Sequence, residues 1–277
     1  MNENEKFISR REFTKMMAGL GVGLTTIAVL GNAEALGRLL QQERDIELSP
    51  VVGEGTHALA DGRHRWGMVI DLSKCIGCDY CVYACQAVND VADDMRWNVH
   101  LIERTPTGQI FHMTRPCLHC HDAPCVAVCP VAATYVRDDG IVIMDYNKCI
   151  GCRYCQVACP YGARSFNWEQ RTESSGYQGV WGSAEVEIRP RGVVEKCTFC
   201  VHRIDRGLAQ GLVPGVDRPA TPACVNICPV EARIFGDLND PNSPASRAIA
   251  THQTFRLRED LGTEPNVYYI PPEGMTI

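Results

Sequence analysis

Apolar residues in this chain come in short bursts separated by turn formers. "WGMVID" (66–71) and "GIVIMD" (140–145) are apolar runs of strand length, and each predicts a short buried strand. "VHLIERTPTGQIFHMTR" (99–115) reads as a hairpin with Pro106 and Gly108 in its turn. "ATYVRDDGIVIMD" (133–145) reads as a second hairpin, turning at Asp138-Asp139-Gly140. Residues 165–192 are polar and predict an insertion. Residues 201–223 start helical and pass into a Gly/Pro loop. Near the end, "PNVYYIPP" is apolar and aromatic enough to pack on the body or on a partner. The expected fold is α+β: short hairpins, short helices and long loops.

The longest apolar stretch is N-terminal, from Met16 to Leu30. Arg10-Arg11 precedes it, and Ala33-Glu34-Ala35 supplies a small-x-small cleavage pattern. This predicts a twin-arginine export signal over 1–35. The stretch is short for a spanning helix, although a retained anchor is the other reading. Nothing after residue 35 approaches the run of apolar residues a membrane span needs. The net charge of -6 argues against a general nucleic-acid binder.

Cysteine changes the picture most. All 16 cysteines fall into four groups of four: Cys75, Cys78, Cys81, Cys85; Cys117, Cys120, Cys125, Cys129; Cys149, Cys152, Cys155, Cys159; and Cys197, Cys200, Cys224, Cys228. The 16 thiols are about 6% of 277 residues, below the roughly 8–10% of a disulfide scaffold. Tetrahedral zinc uses Cys-x2-Cys pairs but has no need of a third and fourth thiol in the same run. The third group, "CIGCRYCQVACP" (149–160), is the Cys-x2-Cys-x2-Cys-x3-Cys-Pro run of bacterial ferredoxins. Its first three thiolates reach one cubane, and the fourth turns away to ligate the other cluster of the pair. Pro160, with no N–H and a fixed φ, ends the turn. The first group has Gln86 in place of that proline. The second has a longer gap before Cys125, and the fourth has 23 residues between Cys200 and Cys224. Four complete groups predict four [4Fe-4S] clusters, a wire for single electrons.

The chain therefore divides into an export signal (1–35), a linker (36–65), a double ferredoxin-like domain with four clusters (66–235) and a tail (236–277). Insertions lie at about 165–192 and 201–223.

The segment "CLHCHDAPCVAVCPVAATYVRDDGIVIMDYNKCIGCRYCQVACPYGA" (117–163) resembles the four-cluster iron–sulfur subunits of the dimethyl-sulfoxide/polysulfide reductase family, the electron-transfer subunits of complex iron–sulfur molybdoenzymes. The likeness covers about 66–240, and "LREDLGTEPNVYYI" is similar to the family's ending. The resemblance implies that group one pairs with group four, and group two with group three. One cluster would then sit on Cys75, Cys78, Cys81 and Cys228. A second would use Cys85, Cys197, Cys200 and Cys224, a third Cys117, Cys120, Cys125 and Cys159, and a fourth Cys129, Cys149, Cys152 and Cys155. It also implies a molybdopterin catalytic partner and a polysulfide-reductase-type membrane partner that handles quinone. The complex would lie at the outer, periplasmic face of the cytoplasmic membrane, in anaerobic respiration. Other readings keep the wire but attach it to a nickel–iron hydrogenase or a multihaem cytochrome, or make the chain itself a terminal reductase. A zinc-stabilised interaction module is the reading without redox chemistry. No catalytic constellation is legible.

Lys74, Lys148 and Lys196 each precede a first cysteine. They read first as solvated surface lysines, and otherwise as charges that raise a cluster's potential. Gly77 and Gly151 are expected where backbone closely approaches sulfide. Tyr80, Tyr154 and Phe199 are expected to shield clusters from water. His119, His121 and His202 stand beside ligands and read as packing residues, since no group lacks a thiol.

Overall fold

The computed structural model describes residues 63–275. The expected export signal, and the linker up to residue 62, lie outside the described residues. In chain order the strands and helices are β1 (Trp66–Asp71), α1 (Tyr80–Val88), β2 (Val99–Arg104), β3 (Ile110–Arg115), α2 (Pro124–Ala127), β4 (Thr134–Val136), β5 (Val142–Met144), α3 (Tyr154–Ala158), β6 (Ser165–Phe166), β7 (Val194–Glu195), α4 (Val201–Ala209), α5 (Ala223–Asn226), β8 (Arg233–Asp237), α6 (Pro244–Thr251) and β9 (Val267–Ile270).

Both expected hairpins form. β2 and β3 pair antiparallel from Val99↔Arg115 to Arg104↔Ile110. Thr105 closes their turn: its hydroxyl accepts from the Gln109 amide and its carbonyl from the Gly108 amide. β4 pairs with β5 from Thr134↔Met144 to Val136↔Val142, and the Gly140 amide donates to the Arg137 carbonyl in the turn.

β1 is the centre of a sheet ordered β8-β1-β9. Its partners come from the far end of the chain. β8 runs antiparallel, with Met68↔Phe235, and β9 runs parallel, with Val69↔Tyr268. Every residue of β1 is buried, which explains its continuous apolar run. The apolar tail segment is thus a strand of this sheet, with Val267 and Tyr269 fully buried.

Two half-units share one local design. In the first, β1 and α1 join α5 and β8. In the second, β5 and α3 join α2 and β4. α1 packs on α5, and α2 packs on α3. The Cys75 amide donates to the Asp71 carbonyl as the Cys149 amide does to Asp145, both at 3.2 Å. Asp79 and Arg153 open their helices in the same left-handed conformation, at φ 62° and 63°. The architecture is α+β, two ferredoxin-like modules with long loops. The polar insertion folds back over α1: Tyr177 stacks on Tyr83, and the Asp90 carboxylate accepts from the Ser175 amide.

One tie between the modules is ionic. Arg137, on the second hairpin, holds Asp139 at 2.7 Å and Asp205 of α4 at 2.8 Å, and its side chain is only 2% exposed. Asp205→Asn leaves Arg137 buried with half its counter-charge. Breaking a buried pair is costly, and Asp139 offsets part of the loss. We expect about 2 kcal/mol of destabilisation, read as a fall of about 4–8 °C in apparent Tm.

Candidate metal centres

Three cavities are each lined by four cysteines. Cys75, Cys78, Cys81 and Cys228 line one, beneath β1 and β8. Cys117, Cys120, Cys125 and Cys159 line the second. Cys129, Cys149, Cys152 and Cys155 line the third. In each, three thiols come from one group and the fourth from another. Cys85, Cys197, Cys200 and Cys224 are the four cysteines outside these cavities, and all are buried. The Asn89 amide group donates to Cys85 Sγ at 3.7 Å and to Cys200 Sγ at 3.4 Å, which brings those two thiols to one place.

Local geometry explains the three-plus-one arrangement. Gly151 and Arg153 are left-handed, so the loop curls and aims Cys149, Cys152 and Cys155 at one point. α3 then runs for a single turn. Cys159 follows it in extended backbone, φ -76° and ψ 110°, and lines the next cavity.

Burial holds these thiols in the neutral form until a metal binds them. Burial pushes Cys224 up to about 12, although Arg233 beside it pulls the other way. Burial, reinforced by Cys117, pushes Cys120 up to about 12. Cys85 is raised well above the ordinary thiol range by burial and then by Cys197, Cys200 and Cys224. Four mutually facing buried thiols become thiolates only when metal binds them. Backbone amides already point at sulfur: Ala133 N–H at Cys129 Sγ (3.2 Å), Ala232 N–H at Cys228 Sγ (3.3 Å) and Phe199 N–H at Cys197 Sγ (3.4 Å). None of the 16 cysteines is in a disulfide. Among the described residues, no three of His, Cys, Asp or Glu converge closely enough to hold a single ion. Three of the quartets each line a common space, an arrangement that suits a polynuclear centre.

Several side chains differ from expectation. Lys74 and Lys148 are surface residues, paired with Asp71 at 3.6 Å and Asp145 at 3.5 Å. Lys196 is not a surface lysine: it is 0% exposed, because the strand leading to Cys197 passes between the two modules. Tyr80 and Tyr154 are exposed and do not line the neighbouring cavities, whereas Phe199 is 1% exposed. Phe199 stacks on His119 at 3.7 Å, and His119 Nδ1 accepts from the Val142 amide. Burial and the charges of Lys196 and Arg164 hold His119 neutral. His202 faces Glu185 at 3.4 Å. A Cβ on Gly77 would meet the His112 ring at 2.4 Å, and one on Gly151 the Gly192 carbonyl at 2.2 Å. These glycines serve protein packing as well as the left-handed turn.

Three functional side chains escaped the sequence reading: Asn89, Arg164 and Arg233. Arg164 Nη2 donates to Cys125 Sγ at 3.0 Å, and Arg233 Nη1 to Cys224 Sγ at 3.3 Å. A signal existed. "CPYGAR" and "CPVEAR" place an arginine at the same distance past the last cysteine of groups three and four.

The chain matches known proteins along the same lines. Residues 108–175 and 148–232 each match a family described as "4Fe-4S dicluster domain", and residues 68–87 match "4Fe-4S binding domain". The iron–sulfur cluster-binding subunit of menaquinone reductase from Nitratidesulfovibrio vulgaris is 42% identical over 226 residues, 74% of this chain and 88% of the relative. A selenate reductase subunit from Mesobacillus selenatarsenatis is 41% identical over 221 residues, 74% of this chain and 72% of the relative. A tetrathionate reductase subunit from Salmonella typhimurium is 34% identical over 269 residues, 95% of this chain and 88% of the relative. The protein carries four [4Fe-4S] clusters. With its thiols grouped around such centres and relatives of this length and identity, the chain belongs to the family of iron–sulfur electron-transfer subunits of respiratory reductases.

Proposed function

We propose that the four clusters are held by the four quartets: Cys75, Cys78, Cys81 and Cys228; Cys85, Cys197, Cys200 and Cys224; Cys117, Cys120, Cys125 and Cys159; Cys129, Cys149, Cys152 and Cys155. The reading rests on one observation, that thiols from different groups line common cavities or one buried place. Each cluster supplies a site that takes up and releases one electron. The protein's own part is to hold the order of the sites, keep water from the inner ones and point amides at sulfur. The inner quartet is buried, whereas Cys152 of the last is exposed. An end at the surface suits exchange with another protein.

On the same proposal the relay joins a molybdopterin catalytic subunit to a membrane subunit of the polysulfide-reductase type that handles quinone. Names among the relatives support this: one belongs to a menaquinone reductase, others to selenate and tetrathionate reductases. Among the described residues no helix is long and apolar enough to cross a membrane, which suits peripheral attachment. Arg10-Arg11 and the apolar stretch behind them support export by the twin-arginine route to the outer face.

Metal analysis of the complex, purified anaerobically from membranes, tests this. About 16 irons per chain are expected, with molybdenum or tungsten in the same particle. Zinc in place of iron would overturn the cluster reading. Nickel without molybdenum or tungsten would overturn the partner.

A further inference from the structure

We propose that Arg233, Lys196 and Arg164 are fixed counter-charges inside the relay, one at each of the three boundaries between successive cysteine quartets, and that each raises the potentials of the two clusters it separates.

Five arginines and lysines are buried among the described residues. Two of them have carboxylate partners: Arg137 has Asp139 and Asp205, and Arg189 has Glu195. Among the described residues the other three have none. Arg164 donates to Met144 Sδ, Cys125 Sγ and Thr134 Oγ1. Arg233 donates to Met68 Sδ, Cys224 Sγ, Asn98 Oδ1 and Thr114 Oγ1. Lys196 Nζ donates to two carbonyls, those of Val142 and of Cys197. A buried cation without an anion is among the costliest groups a fold can hold. Three in one small protein require anions of another kind, and cysteine thiolates carrying an iron–sulfur core provide them.

Their positions are ordered. Arg233 lines the cavity of the first quartet and donates to Cys224 Sγ of the second. Lys196 donates to the carbonyl of Cys197, of the second, and to that of Val142, which lines the cavity of the third. Arg164 lines the cavity of the third and donates to Met144 Sδ, which lines the cavity of the fourth. Each cation therefore stands between two quartets, and successive cations share one. Lys196 crosses the module boundary itself, since Val142 belongs to β5 of one module and Cys197 leads into α4 of the other. A positive charge beside a cluster favours the reduced, more negative state, so these side chains hold the potentials up.

The inference rests on the quartet assignment, and its test separates the two. Arg233→Gln, Lys196→Gln and Arg164→Gln are made in the full chain and the purified complex is titrated under EPR. In each variant two of the four reduction waves should move to lower potential. A unit charge removed at this range is worth about tenfold in the ratio of reduced to oxidised cluster, or about 59 mV for a one-electron couple. The Arg233 and Lys196 variants should share one moved wave, and the Lys196 and Arg164 variants another. The Arg233 and Arg164 variants should share none. Arg233→Lys, Arg164→Lys and Lys196→Arg keep the charge and should keep the potentials. Where a glutamine variant fails to load iron but its charged counterpart loads fully, the charge is the requirement and the inference stands. Equal failure of both, waves that stay in place, or four waves that move together would overturn it. If cysteine variants lose clusters in some other grouping, the quartet assignment fails first. If the cysteine grouping holds and the waves do not move in overlapping pairs, this inference alone is wrong.

Discussion

Cys159→Ala is expected to damage the same cluster as Cys117→Ala, and a different one from Cys155→Ala. Cys155 is a near neighbour in the chain, and Cys117 belongs to another cysteine group. The reason is the single turn of α3. Cys155 lies within that helix and faces the cavity of Cys129, Cys149 and Cys152. Cys159 ends the helix in extended backbone and faces the cavity of Cys117, Cys120 and Cys125. A cubane that loses one thiolate either drops an iron or fails to assemble, so iron should fall from about 16 per chain by about one to four. Electron delivery through the complex should fall to background, because a relay has no path around a missing site. EPR of the reduced complex distinguishes the variants: Cys159→Ala and Cys117→Ala should lack the same signal, and Cys155→Ala another. If Cys159→Ala and Cys155→Ala lacked the same signal, the three-plus-one reading of this group would be wrong.

The parts legible in the sequence are those written over short distances. Both hairpins followed from short runs of strand length and the turn residues between them, because register and turn are decided within a few positions. The cysteine groups were legible because metal chemistry fixes ligand types and spacing. The sheet was only half legible. β1 announced itself by its apolar run, but its partners Arg233–Asp237 and Val267–Ile270 come from the other end of the chain, and no local pattern names them. The same distance hid Lys196. A lysine before a cysteine looks like its counterparts Lys74 and Lys148, which do reach the surface. Only the packing of one module on the other buries it. Arg233 was hidden because Asn98 and Thr114, which hold its guanidinium, lie more than a hundred residues upstream.

Gly151→Ala should be among the most damaging single changes available in a cluster loop. The residue sits at φ +71°, where an L side chain is strained by about 1–2 kcal/mol. Space makes matters worse. A Cβ would lie 2.2 Å from the Gly192 carbonyl oxygen, and that oxygen is backbone, so it retreats only if the 190–195 segment moves. The Gly192 amide donates to Asn167, and the neighbouring Val193 carbonyl accepts from the Asn167 amide, so the segment is anchored on β6. Displacing it shifts β7, which carries Val194 against the same cavity. Strain and displacement together should cost about 3 kcal/mol. The cavity of Cys129, Cys149, Cys152 and Cys155 takes that cost directly, so iron should fall by up to about four per chain. The matching change Gly77→Ala has nearly the same φ, +69°, but its Cβ meets the His112 side chain, which can turn. His112 gives up its 2.9 Å contact with His100 when it does so. We expect a smaller loss there, about 2 kcal/mol, with all four clusters still loaded. Iron content and apparent Tm of the two variants, measured side by side, check the ordering. Equal damage at both glycines would mean that the left-handed turn alone, and not the carbonyl behind Gly151, governs the loop.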